Sequence, residues 1–216
     1  MNLIEERGYE GVRYEWHEDL QLLIVKVPTK AHEAASQEFG TSITDAVAVM
    51  GLSPLERRVL GAGRFHVPLG APRKEPDWSM KTRIVRPNPD DFPTIVVEAG
   101  FSESLAKLRN DARLWFSISN NAIQIVILIA VRAARRETII EKWIVAPGQP
   151  PQVPQAVQSI TITETAPNTY AITAGTAPLI PEFNKLFLRQ PVGQEQDIVY
   201  TQTKLLLVAE AIFDLV

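Results

Sequence analysis

The most consequential absence from this sequence is cysteine. None of the 216 residues is a cysteine, which excludes disulfides, thiolate zinc sites and a cysteine nucleophile. Histidine is scarce as well. The three histidines, His17, His32 and His66, stand far apart and do not have the spacing of a zinc-ligand set. Thiolate chemistry and a histidine-based zinc site are therefore excluded as explanations of function.

The chain also lacks an excess of positive charge and a long hydrophobic run. Its formal net charge is −3, which argues against a strong non-specific DNA binder but leaves room for a local basic groove. The most apolar stretch, residues 122–131, is far shorter than a membrane span, and the N-terminal segment is too acidic for a signal peptide. We therefore expect an intracellular protein, cytoplasmic or nuclear, with no membrane partner.

The remaining composition, 45% hydrophobic and 22% charged, is that of a protein with a substantial core. Apolar periodicity and capping residues predict an alternation of strands and helices in the first two thirds of the chain. The predicted elements are a strand over 20–27, helices over 30–39 and 42–50 (the second capped by Ser42 or Thr44), a strand over 55–69, a strand over 94–97, a helix over 103–117 capped by Ser102, and strands over 123–131 and 138–145. This order predicts a mixed α/β sheet.

The last third of the sequence has a different character. Four prolines within residues 147–154 predict a linker or an extended connection. Two alternating segments, 158–164 and 169–174, predict a hairpin, and residues 202–215 are compatible with a helix. We expect a core over residues 1–146, with the proline-rich connection, the hairpin and the C-terminal helix of residues 147–216 packed on it. The sequence does not give the oligomeric state, and a homodimer is compatible with it, since two-fold dimers are the commonest assembly.

Two acidic residues are the most informative local feature. Asp77 follows Pro76 at the start of one predicted strand, and Glu98 stands 21 residues later at the end of a buried one. A hairpin of these strands would place the two carboxylates side by side. Two such oxygen ligands, with water and a phosphate, suit Mg²⁺, which would polarise the phosphate and lower the pKa of an attacking water. The spacing alone is a weak signal, because Pro-Asp pairs and glutamates at strand ends are common.

Three sequence runs carry a resemblance to a known family: Lys-Glu-Pro-Asp at 74–77, Phe-Pro-Thr-Ile-Val-Val-Glu-Ala-Gly-Phe-Ser-Glu-Ser-Leu at 92–105, and Leu-Arg-Asn-Asp-Ala-Arg-Leu-Trp at 108–115. Over residues 20–145 the chain resembles the PD-(D/E)XK, or restriction-endonuclease-like, nuclease superfamily, and within it uncharacterised fungal and bacterial proteins. The resemblance implies an α/β/α core around a mixed sheet and a phosphodiesterase dependent on Mg²⁺ or Mn²⁺. It also implies that Asp77 and Glu98 are the catalytic acids and the metal ligands.

The chain departs from the family pattern at the motif's lysine, which falls on Gly100. Some members of the superfamily carry this lysine on the following helix, and Lys107 is the obvious substitute here, with Arg109 and Arg113 behind it. Asp111 stands one turn after Lys107, so the two can pair on the helix surface. An ordinary surface ion pair explains Lys107 and Asp111 equally well.

Other charged residues have weaker claims. Members of the family often carry an acid on the first helix, which Glu33 or Glu38 could supply, although such a glutamate is more often solvated. The basic residues Lys81, Arg83 and Arg86, and the cluster Arg132, Arg135 and Arg136, could contact phosphates. Basic turns are usually only solvated.

Three functions are therefore compatible with the sequence. The first is a metal-dependent nuclease that uses Asp77, Glu98 and Lys107. The second is a catalytically degenerate nuclease fold that serves as a nucleic-acid or protein-binding module, which Gly100 and the acidic net charge favour. The third is an assembly protein that dimerises through residues 158–216. Because both acids stand in the matching frame, the sequence favours the nuclease by a narrow margin.

Overall fold

The computed structural model describes residues 13–56, 58–59, 73–101, 103–146 and 153–216. In chain order, its elements are β1 (Arg13–His17), β2 (Leu22–Lys26), α1 (Lys30–Val49), β3 (Arg58–Val59), β4 (Arg73–Lys74), β5 (Trp78–Lys81), β6 (Ile95–Phe101), α2 (Leu105–Ile118), β7 (Ile125–Arg132), β8 (Glu137–Val145), β9 (Pro154–Ala166), β10 (Thr169–Ala174), α3 (Phe183–Phe187) and α4 (Gln202–Phe213). A 3₁₀ turn, Ala133–Arg135, separates β7 from β8.

Over the described residues, seven strands form the central sheet in the order β10-β9-β8-β7-β6-β5-β3. The neighbours β6 and β7 run parallel, and the other pairs are antiparallel. Helices α1 and α4 cover one face of this sheet, and α2 covers the other. The predicted α/β/α core with a mixed sheet, extended by a C-terminal hairpin and helix, is confirmed.

The two faces of β6 determine where its acid lies. Successive strand residues point to opposite faces, and Ile95, Val97 and Ala99 belong to the apolar cluster under α1 and α4. Val96 belongs to the cluster under α2. Glu98 and position 100 therefore share the α2 face.

The first helix is longer than the sequence predicted. Two helices were expected over 30–39 and 42–50, but one helix runs without a break from Lys30 to Val49. Gly40 is required in its middle, because a Cβ atom there would lie 2.3 Å from the ring of Trp78. Thr44 does not cap a second helix, since its hydroxyl donates to the Gly40 carbonyl at 3.0 Å. The prediction of a break was wrong because the glycine lies within the helix, where the packing of Trp78 requires it.

Helix α2 begins later than predicted. Ser104 is its N-cap, and the Ser104 hydroxyl oxygen accepts from the Lys107 N–H at 3.2 Å. The predicted cap, Ser102, lies outside the described residues. Residues 57, 60–72 and 147–152 lie outside them too, with most of the strand predicted over 55–69, His66 and most of the proline-rich connection.

The C-terminal third continues the central sheet. Strand β9 pairs with β8, β10 pairs with β9, and α4 packs against α1. Lys142 of β8 holds the chain beyond the hairpin, because its ammonium donates to the Ile180 carbonyl at 2.6 Å and to Glu182 at 2.5 Å. No helix among the described residues is long and apolar enough to span a bilayer. A homodimer through this region stays a prediction.

A small second sheet places two lysines near the start of β5 in the central sheet. It has the order β2-β1-β4 over the described residues. Lys26 is the last residue of β2, and Lys74 is the last residue of β4. Both positions lie close to the start of β5, where the candidate acids meet.

Candidate functional site

The two acids lie next to each other across a pair of antiparallel strands. Trp78 of β5 is opposite Val97 of β6, and the same register places Asp77 opposite Glu98. Both side chains are buried, with Asp77 3% and Glu98 1% exposed. Burial of two carboxylates is costly unless cations or donors compensate them, so their surroundings indicate what the site can do.

Asp77 has two hydrogen-bond donors and a histidine ring close to its carboxylate. Its Oδ2 accepts from the Ala99 N–H at 2.8 Å and lies 3.5 Å from Lys26 Nζ and 3.2 Å from His32 Nε2. Burial alone would raise the pKa of Asp77, but His32, Lys26 and the Ala99 N–H outweigh it and hold the pKa below its ordinary value. Asp77 is therefore an anion at neutral pH.

His32 reaches Asp77 from the first turn of α1. The Thr29 hydroxyl oxygen caps this helix by accepting from the His32 N–H at 3.2 Å. The His32 side chain is buried, and neither of its ring nitrogens has a hydrogen-bond partner within the part of the chain that the structure describes. Glu33 and Glu38 of the same helix, which the resemblance offered as additional acids, are exposed. The residue of this helix that lies beside Asp77 is His32.

Glu98 lies between an indole and an ammonium. Trp115 Nε1 donates to its Oε1 at 2.7 Å, and Lys74 Nζ lies 3.4 Å from its Oε2. Burial raises the pKa of Glu98 to about 7, and the charges of Asp77 and Asp111 add to this effect, whereas Lys74 and Lys26 oppose it. Glu98 consequently changes charge near neutral pH, unlike its neighbour.

Lys74 is the cation beside Glu98. Its Nζ also lies 2.7 Å from Asp111 Oδ2, and its side chain is only 8% exposed. Burial by itself would lower the pKa of Lys74, but the charges of Glu98 and Asp111 raise it above its ordinary value. Lys74 is the first residue of the run at 74–77 that resembles the nuclease family, but the resemblance assigns it no role. Its position three residues before Asp77 was the only signal that could have drawn attention to it.

Lys107 lies at the surface, beside other acids than Glu98. Its Nζ is 3.2 Å from Glu103 Oε1 and 4.0 Å from Asp111 Oδ2, and its side chain is 44% exposed. A Cβ atom on Gly100 would lie 2.8 Å from a terminal methyl of the buried Leu108, so a side chain at position 100 requires Leu108 to shift. The positive charge at Glu98 therefore comes from β4.

Arg109 serves a different acid. Its guanidinium donates twice to Glu141 of β8, at 2.6 and 3.1 Å. Glu141 lies on the α2 face of the sheet, like Glu98, and is fully buried. This pair belongs to the core between α2 and β8.

Most of the other basic residues considered in the sequence are engaged within the chain. Lys81 donates to the carbonyl oxygens of Asn88, Pro89 and Asp91. Arg86 donates to those of Phe92, Pro93 and Ala122. Arg132 pairs with Glu137, and Arg136 pairs with Glu164. These contacts hold loops and strand ends together.

The donor set is suited to one kind of metal site. Among the described residues, no group of three or more His, Cys, Asp or Glu side chains is placed to hold a metal ion. A closed structural site is therefore excluded for that part of the chain. Two neighbouring carboxylates are hard oxygen ligands, and Mg²⁺ often takes only one or two of them while keeping its waters and substrate phosphates. Asp77 and Glu98 fit such an open site.

Comparison with known proteins supports the fold. The chain is similar to a crystal structure from Anabaena variabilis that is described as a "putative nuclease belonging to DUF820". The TM-score is 0.54, the sequence identity is 14%, and the match covers 96% of both chains. No protein-family model and no curated protein matches the sequence. The fold is thus nuclease-like, and any activity has to be argued from the residues of this chain.

Proposed function

We propose that this protein is a divalent-metal-dependent nuclease of the PD-(D/E)XK type that hydrolyses phosphodiester bonds of nucleic acid. One observation carries the proposal: Asp77 and Glu98 are buried on adjacent strands, and a lysine ammonium lies 3.4 Å from the second acid. Two acids and a lysine are the groups that the family resemblance implies. The description of the structural neighbour as a nuclease adds support.

Asp77 and Glu98 would hold Mg²⁺ or Mn²⁺. When bound, the ion polarises the scissile phosphate and makes water a better nucleophile. Asp77 is kept ionised for this task by His32, Lys26 and the Ala99 N–H. Trp115 orients Glu98 by donating to one of its oxygens, which leaves the other oxygen toward Lys74.

Lys74, and not Lys107, would supply the motif's positive charge. Its ammonium is held by Glu98 and Asp111 and stays charged because its pKa is raised. A fixed ammonium can offset the negative charge that develops on a phosphate in the transition state, which is often the largest catalytic contribution. Asp111 acts through Lys74 as a positioning residue.

A second candidate is a degenerate nuclease fold kept as a nucleic-acid or protein-binding module. The specific observation in its favour is that Lys26 and Lys74 already compensate both acids. In such a protein the ammonium groups would be permanent replacements for a metal ion. This candidate predicts a stable site with no affinity for divalent ions.

Calorimetric titration with Mn²⁺ separates the two candidates. We expect heat of binding for the wild type and none for Asp77→Asn. Glu141→Gln is a matched control, because it removes an equally buried carboxylate on the same sheet as Glu98, and it should bind Mn²⁺ like the wild type.

Cleavage assays then test the activity itself. Wild-type protein with Mg²⁺ or Mn²⁺ should cut plasmid or single-stranded DNA, and Glu98→Ala should not, while Glu141→Gln should remain active. If the folded wild type neither binds Mn²⁺ nor cuts either substrate, the nuclease proposal is wrong and the binding module is favoured.

A further inference from the structure

Lys26 makes a contact to the backbone of β6 that the proposed chemistry does not use. Its ammonium donates to the Ala99 carbonyl oxygen at 2.8 Å and lies 3.5 Å from Asp77 Oδ2. A backbone oxygen of one strand and a carboxylate oxygen beside the next strand thus converge on one positive charge. Carbonyl and carboxylate oxygens are also the ligands that hard divalent cations take.

The Ala99 carbonyl lies beyond the end of the β5–β6 ladder, whose last pair is Trp78 and Val97. Pro76, two residues before β5, has no N–H to donate to a neighbouring strand. The Ala99 N–H is satisfied by the Asp77 carboxylate instead of by a backbone oxygen. A buried carbonyl without a partner is costly, and Lys26 provides the missing donor.

The charge of Lys26 acts on both acids. Burial favours the neutral form of Asp77 and of Glu98, and Lys26 opposes it in each case by favouring the ionised carboxylate. An ion bound between the two acids would have the same relation to them. Two positive centres at such a place would repel each other strongly.

The position of Lys26 also allows its ammonium to move away from Asp77. It stands at the end of β2, and its side chain is 23% exposed. Lys74, by comparison, is 8% exposed and has two carboxylate partners. A lysine side chain is flexible and strongly hydrated, so Lys26 can move into water while Lys74 stays.

We propose that Lys26 is an internal cation that occupies the place of the divalent ion between Asp77, Glu98 and the Ala99 carbonyl. Metal binding then requires Lys26 to swing out toward solvent. This inference rests on the proposed function, because it concerns the same two acids. It adds an autoinhibitory contact, in which the protein's own ammonium competes with the ion for the two acids.

The test compares Mn²⁺ affinity, measured by calorimetry, for the wild type, Lys26→Met and Lys26→Arg. Removing the competing charge should tighten Mn²⁺ binding by roughly tenfold or more, whereas Lys26→Arg, which keeps the charge, should not tighten it. Lys30→Met is the matched control, because Lys30 is an exposed lysine four residues away, and it should bind like the wild type. The double variant Lys26→Met with Asp77→Asn should not bind.

Thermal unfolding provides a second measurement. Without metal, Lys26→Met should have a lower Tm than the wild type, because the Ala99 carbonyl loses its donor. Saturating Mn²⁺ should raise the Tm of Lys26→Met by more than that of the wild type. A lysine with a purely structural role would lower the Tm without this extra response to Mn²⁺.

The outcomes separate this inference from the proposed function. If the wild type binds Mn²⁺ and Lys26→Met binds it equally or less tightly, the Lys26 inference is overturned and the metal site survives. If only Lys26→Met binds, the inference is supported and the wild type is a closed binding module. If neither protein binds, both the metal site and the inference are wrong.

Discussion

Two buried glutamates on the same face of the central sheet differ in how their charge is compensated. Glu98 and Glu141 each accept a hydrogen bond from a tryptophan indole, Trp115 at 2.7 Å and Trp143 at 2.9 Å. Glu141 also receives both arms of the Arg109 guanidinium and the Ser159 hydroxyl. Glu98 instead faces a lysine that it shares with Asp111.

The difference indicates which acid is available for chemistry. A carboxylate held by a bidentate guanidinium has its lone pairs filled in a fixed geometry, which favours a structural role. An ammonium is a point charge without the forked geometry of a guanidinium, so it does not occupy both oxygens of Glu98. Glu98 also has a second acid opposite it, and Glu141 does not have one in the adjacent register of β7 or β9, where Leu128 and Ser159 are opposite. Of these two glutamates, Glu98 has the surroundings that the proposed site requires.

The largest effect should come from Arg109→Met. This change leaves the fully buried Glu141 without its cation, and because the Arg109 side chain is itself 43% exposed, the loss should lie at the lower end of the range for a broken buried pair, about 3 kcal/mol. Urea denaturation should show this loss in the free energy of unfolding, while Mn²⁺ affinity stays unchanged. A loss below about 1 kcal/mol, or a loss of Mn²⁺ binding, would contradict the structural role of the pair.

Lys74→Met should have the next largest effect, on cleavage. Removal of one fixed charge that stabilises a transition state typically lowers kcat by about 100-fold, and Lys74→Arg should restore part of the rate because it keeps the charge. Rates are measured under saturating Mn²⁺ on protein whose folding is checked by circular dichroism. Full activity of folded Lys74→Met would show that the ammonium beside Glu98 only compensates burial.

Glu98→Gln should change the pH dependence of stability. The pKa of Glu98 is raised from 4.5 to about 7 in the folded protein, so its stabilising contribution is complete below pH 4.5 and is lost as the pH rises to about 7. Between pH 4 and pH 8 the wild type should therefore lose roughly 3 kcal/mol of unfolding free energy relative to Glu98→Gln. Parallel stability profiles of the two proteins from urea denaturation would contradict a raised pKa at Glu98.

The smallest effect should come from Lys107→Met. Lys107 is half-exposed and pairs with Glu103 on the helix surface, and such pairs contribute less than about 0.5 kcal/mol. Cleavage and stability should both remain near the wild type. A large loss of cleavage in Lys107→Met, with Lys74→Met still active, would indicate that Lys107 of α2, and not Lys74, is the catalytic lysine.

Much of the fold follows from local sequence signals. The β-branched run of β7 and the helical spacing of Leu108, Ala112 and Trp115 in α2 are sufficient to identify both elements, because each pattern reflects burial on a regular backbone. The break predicted near Gly40 failed because local propensity cannot register the contact between Gly40 and the ring of Trp78. Hairpin β9–β10 was recognisable, but its addition to the central sheet required the pairing with β8.

The candidate site was predictable only in its acids. Asp77 and Glu98 could be found because the residues around them match the order of a known motif along the chain. Lys26 and His32 have no motif, since they lie 51 and 45 positions before Asp77 and reach it only after β2 and α1 fold against the sheet edge. Sequence separation hides such contacts.

The sequence by itself determined the alternation of strands and helices, the absence of thiol chemistry and the two acids in a recognisable frame. These features depend on residue type and local order, which can be read along the chain. Only the tertiary structure decided which cations meet the acids. It packed Leu108 against Gly100, brought Lys74 to Glu98 and Lys26 to Asp77, and left Lys107 at the surface. Charge compensation depends on distance in space and on burial, and both arise only when distant segments pack together.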